Sequence, residues 1–173
     1  IVAVNKIDKP GAMPERVLSQ LPEHNVIPEA FGGQVITAPV SALTGEGVPE
    51  LLELIILQSD VMELKADPKG DFKGVVVEAK LDRGRGPVAT ILVKEGTLKI
   101  GDNVVVGTTH GKIKAMTNHL GERLTTAGPS TPVEILGLGD VPGAGDTVEV
   151  AADERGAREL AEGRAIEQRQ KEL

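Results

Sequence analysis

The sequence predicts three architectures in succession: a short α/β segment, an all-β barrel and a closing helix. The chain opens on an apolar, largely β-branched run, Ile1-Val2-Ala3-Val4, and then alternates loop, helix, strand, loop and helix, the order expected of a parallel sheet with crossover helices. Fourteen of the 21 glycines then fall between Gly70 and Gly145, among short β-branched runs separated by turns. That pattern predicts a barrel or sandwich of about six to eight strands. Residues 152–173 end the chain in charges at helical spacing.

Composition narrows the function classes. The chain has 173 residues, 40% hydrophobic and 26% charged, so it is expected to be globular, with room for one large or two small domains. It has no Cys, which excludes disulfides, thiol chemistry and zinc-finger spacing. His24, His110 and His119 show no metal-ligand spacing, so no metal site is expected. The longest apolar run, residues 51–57, is broken by Glu53 and is too short for a bilayer, so no membrane partner is expected. Phe31 and Phe72 are the only aromatic residues, too few for a base-stacking platform on single-stranded RNA. The net charge of −7 argues against a protein that only coats nucleic acid. Residues 1–69 carry 5 basic and 10 acidic side chains, but residues 70–150 carry 9 and 10. Ile1 opens in mid-strand, so the sequence is expected to be a piece of a longer protein.

Taken in order, the first strand ends where Asn5, Lys6 and Asp8 begin. Lys9-Pro10-Gly11 makes a turn, and Pro14 to Leu21 predicts a helix with proline in its first turn and with Val17, Leu18 and Leu21 facing the sheet. Residues 35–40 predict a second buried strand, at an edge because of Pro39. Ser41-Ala42-Leu43 closes it, and Thr44-Gly45-Glu46-Gly47 turns into a helix from Pro49 to about Leu64, on which Leu51, Leu52, Ile55, Ile56 and Met62 share an apolar stripe. Residues 67–72 are polar, with Pro68 and Gly70, and read as a linker. Beyond it, strands are predicted over residues 74–82, 88–94, 104–106, 112–117, 133–138 and 147–150, with clear alternation in 73–82 and 90–99. The boundaries expected are therefore 1–66, linker 67–72, barrel 73–151 and helix 152–173. In that helix Glu154/Arg158, Arg158/Glu162 and Glu167/Lys171 are spaced for i,i+4 pairing.

The polar groups after the first strand suit one base. In an open α/β sheet ligands sit at the carboxyl ends of the strands. The Asp8 carboxylate accepts only, and can take two hydrogen bonds from guanine N1–H and its 2-amino group. Adenine lacks that donor pair and would leave the carboxylate unpaired. The Asn5 amide can donate to the N7/O6 edge and tie neighbouring loops together, while the Lys6 stem lies over the base with its ammonium in water. Phosphate-binding motifs are not found in the chain. Gly107-Thr-Thr-His-Gly111-Lys112-Ile113 is one residue short of a P-loop and ends in Ile where a magnesium-binding hydroxyl is required. Asp140-Val-Pro-Gly143 matches D-x-x-G but lies among short strands and reads as a β-turn. The chain alone is therefore expected to read a base without holding its phosphates, and not to turn over GTP.

Asn5-Lys6-Ile7-Asp8 resembles the N-K-x-D motif of GTP-binding proteins, and Ser41-Ala42-Leu43, 36 residues after Asn5, resembles their S-A-x loop. Gly96-Thr-Leu-Lys-Ile-Gly101-Asp102 and Gly143-Ala-Gly145-Asp146 resemble turns of the second-domain barrel of translational GTPases. The stretches 78–102 and 122–146 are similar to bacterial translation initiation factor two in particular. The resemblance implies the end of a P-loop GTPase domain, a translation-factor barrel and the start of a connector helix. It implies GTP or GDP as cofactor, with Mg²⁺ held by other parts of the protein, and a backbone N–H donated from Ala42 to guanine O6. Leu43 departs from the family's usual Lys. The partners implied are the small ribosomal subunit and its RNA, initiator tRNA through a C-terminal part, and the large subunit through the rest of the GTPase domain. The compartment implied is the bacterial cytoplasm. Another translational GTPase such as an elongation factor, or a binding module without nucleotide, is the alternative. Within the barrel, Arg83-Gly84-Arg85-Gly86 is the densest basic turn, and the resemblance implies contact with the ribosomal RNA backbone there. Lys112, Lys114 and Arg123 are the next candidates.

Overall fold

The computed structural model describes residues 1–172 and divides into two compact units, Ile1–Leu64 and the chain from Lys65 onward. In the first, β1 (Val2–Val4) pairs in parallel with β2 (Thr37–Pro39), in the register Val2 with Thr37 and Val4 with Pro39. Hydrogen bonds from Val2 N–H to Ile36 O and from Val40 N–H to Val4 O extend the pairing beyond the short ladder. Val4, Ala38 and Val40 are buried. The parallel arrangement puts the carboxyl ends of both strands at one edge.

Helix α1 (Pro14–Gln20) starts at proline as expected, and a single 3-10 turn follows at Leu21–His24. Leu18 and Leu21 are half-buried, but Val17 stays exposed, contrary to its expected orientation. Helix α2 (Val48–Met62) ends two residues earlier than predicted, where Glu63 takes a left-handed conformation. Gly47 caps its start at φ +74°, and a Cβ there would run into Pro39 O, so glycine is what lets the helix begin against β2. Of the apolar residues on α2, Leu51 and Leu54 are half-buried in this chain, while Leu52, Ile55, Ile56 and Met62 are exposed. A two-stranded sheet is too narrow to cover a wide helical face.

The second unit is a closed six-stranded barrel. Its strands are β3 (Lys73–Asp82), β4 (Gly86–Glu95), β6 (Asn103–Val106), β7 (Thr109–Thr117), β10 (Pro132–Leu138) and β11 (Thr147–Ala151). They run in the order β10-β4-β3-β11-β6-β7, and β7 pairs back with β10 to close the sheet. All these pairings are antiparallel. The short strands β5 (Leu98–Lys99) and β9 (Thr126–Ala127) pair with each other, and β8 (Arg123–Leu124) adds to β7. The alternation predicted over 90–99 breaks at Gly96, where the chain turns. Val76, Ile91, Leu98, Ile113, Met116, Ile135 and Val148 fill the interior. Burial of each such side chain contributes about 1.5–3 kcal/mol.

Helix α3 (Glu154–Glu172) lies on the outside of this barrel. Ala157 and Ala161, one turn apart, pack on the outward-facing Val105. Of the expected pairs, Arg158–Glu154 forms at 4.0 Å; Arg155–Glu159, which was not among them, is closer at 2.8 Å. The predicted helix ran to residue 173, which lies outside the described residues. Among the described residues no helix is long and apolar enough to cross a membrane.

Candidate functional site

The edge formed by the carboxyl ends of β1 and β2 gathers the residues singled out for base recognition. Asn5 follows β1, and Lys6 takes a left-handed turn at φ +66°. The Asn5 side chain is the hub: its Oδ1 accepts the N–H of Lys6 at 2.7 Å and that of Ala42 at 3.0 Å. The first bond holds the turn at Lys6, and the second bridges the two loops. With its carbonyl oxygen engaged by two donors, Asn5 presents its NH₂ group outward, which suits the acceptor edge of a purine.

Ser41 makes the second bridge. Its Oγ donates to Asp8 Oδ1 at 2.6 Å and accepts the N–H of Thr44 at 3.2 Å. Ser41 is the buried polar residue of this unit at 0% exposure, and its carbonyl accepts from Gly45 N–H at 2.8 Å. One oxygen of Asp8 is thereby fixed, while Oδ2 and the spare lone pair of Oδ1 remain for a ligand's N–H groups. Asn5, Lys6, Asp8, Ala42 and Leu43 are all exposed, Leu43 at 85%. The N–H of Ala42 is turned to Asn5 rather than left free for O6, the role the resemblance implied. The next amide, that of Leu43, takes no partner within the described residues. Thr44 and Gly45 were not singled out from sequence, although T-G directly after S-A-x was the available signal.

The basic candidates of the barrel separate into two kinds. Arg83 is exposed at the tip of the β3–β4 hairpin. Arg85 is committed within the chain: Nη1 bonds Glu134 Oε1 at 2.6 Å and Nη2 bonds Asp82 Oδ2 at 3.2 Å. Asp82 Oδ1 also accepts the N–H groups of Gly84 and Arg85 at 2.9 and 3.0 Å. These backbone donors, with the Arg85 side chain, hold the Asp82 carboxyl below the usual carboxylate range. The hydrogen bond to Glu134, then that to Asp82, raises the guanidinium of Arg85 above its ordinary value. Lys112 and Lys114 are exposed at alternate positions of β7, and Arg123 stands on β8 opposite Thr117. Thr117 in turn pairs with Glu134 on β10. Sequence reasoning missed Glu134, because only the strand register places it beside the hairpin tip.

Comparison with known proteins separates the families. Residues 71–151 match the family model "Elongation factor G domain 2". Over all 173 residues the chain is 56% identical to "Translation initiation factor IF-2" of Moorella thermoacetica, covering 100% of this chain and 19% of that protein. It is 59% identical over 168 residues to the protein of that name from Bacillus pumilus, covering 97% and 24%. With that of Clostridium novyi it shares 57% over 173 residues, covering 100% and 25%. The chain belongs to the bacterial translation initiation factor two family. It spans 19–25% of the length of these relatives. Such identity through both units sets aside an elongation factor as the parent. Among solved structures, GDP-bound aIF5B from Aeropyrum pernix superposes with a TM-score of 0.71 and 25% identity, covering 98% of this chain and 37% of that one. Translation elongation factor SelB from Methanococcus maripaludis shares the fold at a TM-score of 0.58 and 22% identity, covering 88% and 33%.

Proposed function

We propose that this initiation-factor-two chain supplies the guanine-reading edge of a GTP-binding domain and a barrel that faces the ribosome. The observation that carries the first half is the pair of bridges between the loops, Asn5 to Ala42 and Ser41 to Asp8. They aim amide donors and a carboxylate acceptor out of one sheet edge, complementary to guanine and mismatched to adenine. These residues fit the base of GTP or GDP. The phosphates and Mg²⁺ belong to a P-loop elsewhere in the longer protein, and bound nucleotide supplies the phosphoanhydride that is hydrolysed. The longer protein then recruits formylmethionyl initiator tRNA to the small subunit and promotes joining of the large one. Lys112, Lys114 and Arg123, with Arg83 at the hairpin tip, contact phosphates of the small-subunit RNA without reading its sequence. Arg85 holds the hairpin instead.

Competition binding to the longer protein tests the nucleotide half. GDP should outcompete ADP by about 10⁴-fold, the discrimination reached by sites built to hydrogen-bond a group the competitor lacks. Comparable displacement by ADP would refute base reading at this edge.

A further inference from the structure

Between the two compact units the composition is that of a flexible linker, yet most of it is bonded to the barrel. Asp67 O accepts the N–H of Gly96 at 2.8 Å and that of Gly70 at 3.3 Å. The Asp67 side chain accepts Lys69 N–H at 2.8 Å. Pro68 O accepts the hydroxyl of Thr97 at 2.8 Å. Phe72 then inserts into the barrel core. Gly96 sits at φ +73°, and a Cβ there would lie 2.7 Å from Phe72 Cα and 2.8 Å from Gly70 O. Glycine is therefore required both for the turn and for the approach of the strap. Upstream, Glu63 closes α2 with a bond to Asp60 O. Leu64, Lys65 and Ala66 are exposed and take no hydrogen bond within the described residues.

We infer that the joint between the units is confined to residues 64–66, and that residues 67–72 form a strap, buckled by Gly96 and Thr97, that sets its reach. Three extended residues span about 10 Å, whereas release of the strap as far as Asp71 would lengthen the tether to about 27 Å. The buckle thus decides how far the barrel can travel from the preceding helix without a change in either unit.

Limited trypsin digestion of the chain, with cut sites identified by mass spectrometry, tests this. Lys65–Ala66 lies in the free joint and should be cut first, while Lys69–Gly70 lies in the strap and should be protected. Thr97→Val keeps the side-chain shape and removes the donor to Pro68. It should speed cutting at Lys69 about five-fold, the population change expected from one lost hydrogen bond, and leave Lys65 and the β3 site Lys80 unchanged. Gly96→Ala should expose Lys69 as fully as Lys65; if that variant does not fold, Thr97→Val carries the test alone. Equal cutting at Lys65 and Lys69 in the unsubstituted chain would overturn the strap. So would an unchanged rate at Lys69 in Thr97→Val, or an equal acceleration at Lys80, which would mean that Thr97 supports the barrel as a whole.

Discussion

Replacing Ser41 with alanine separates a positioning role for this residue from a merely structural one. Ser41 is fully buried, and its Oγ donates to Asp8 Oδ1 at 2.6 Å. Hydrogen bonds to charged groups contribute about 1.5–3 kcal/mol, and the exposure of Asp8 places this one at the lower end. A loss of about 1.4 kcal/mol is a ten-fold change in affinity, so Ser41→Ala should weaken GDP binding by about ten-fold in the longer protein. Part of that loss could come from Thr44, whose N–H loses its acceptor. The double-mutant cycle with Asp8→Ala removes this ambiguity. Once the carboxylate is gone, Ser41 has nothing to aim, and its removal should cost little further affinity. Titration calorimetry of the four proteins with GDP should therefore give a coupling of about 1 kcal/mol between the two positions. Additive penalties, within the roughly 0.3–0.5 kcal/mol that independent sites show, would refute the idea that Ser41 works through Asp8.

Four further outcomes follow from the barrel and from the motifs. Arg85→Ala should lower the melting temperature of the barrel while Arg83→Ala leaves it unchanged, because Arg85 ties the hairpin to β10 through Glu134. Because the carboxyl of Asp82 is depressed on folding, its contribution to stability is full above its unfolded pKa and is lost as pH falls through the lower folded value; the stability gap to Asp82→Asn should close only in acid. Replacing Lys112, Lys114 and Arg123 together should weaken small-subunit binding and reduce the slope of log K against log salt by about 2–3, as lost counterion release requires; an unchanged slope places the RNA-facing surface elsewhere. The chain by itself should show no chelator-sensitive GTP turnover, since positioning of phosphates and Mg²⁺ supplies most of phosphoryl-transfer catalysis.

The long strands of the barrel were legible because one face of each meets a core. Alternation in β3 and the runs of β4, β7 and β10 give them away. The two-residue strands β5, β8 and β9 are too short to show any period. On α2, helical spacing identified which residues are apolar but not which of them meet the two-stranded sheet of this chain, Leu51 and Leu54, and Leu54 was missed. The docking of α3 through Ala157 and Ala161 was hidden by the charges around them. The types of residue at the carboxyl edge of β1 and β2, proposed to read the base, stood out from local spacing. The bridges that organise it did not: Ser41 and Asp8 are 33 residues apart, and Ala42 and Asn5 are 37 apart. Only the parallel pairing of β1 with β2 brings them together. The commitment of Arg85 to Glu134, 49 residues away, likewise depends on register around the barrel.

Guanine recognition through Asp8 is tested most directly by exchanging the partner on the base together with the side chain. In the longer protein, Asp8→Asn replaces a pure acceptor by a group that can also donate. Xanthine carries a carbonyl where guanine carries its 2-amino group, so the substitution should weaken GDP and strengthen XDP, inverting the preference in side-by-side titrations. An equal loss of both nucleotides, or an unchanged preference for GDP, would contradict the assignment and leave Asp8 as a structural partner of Ser41.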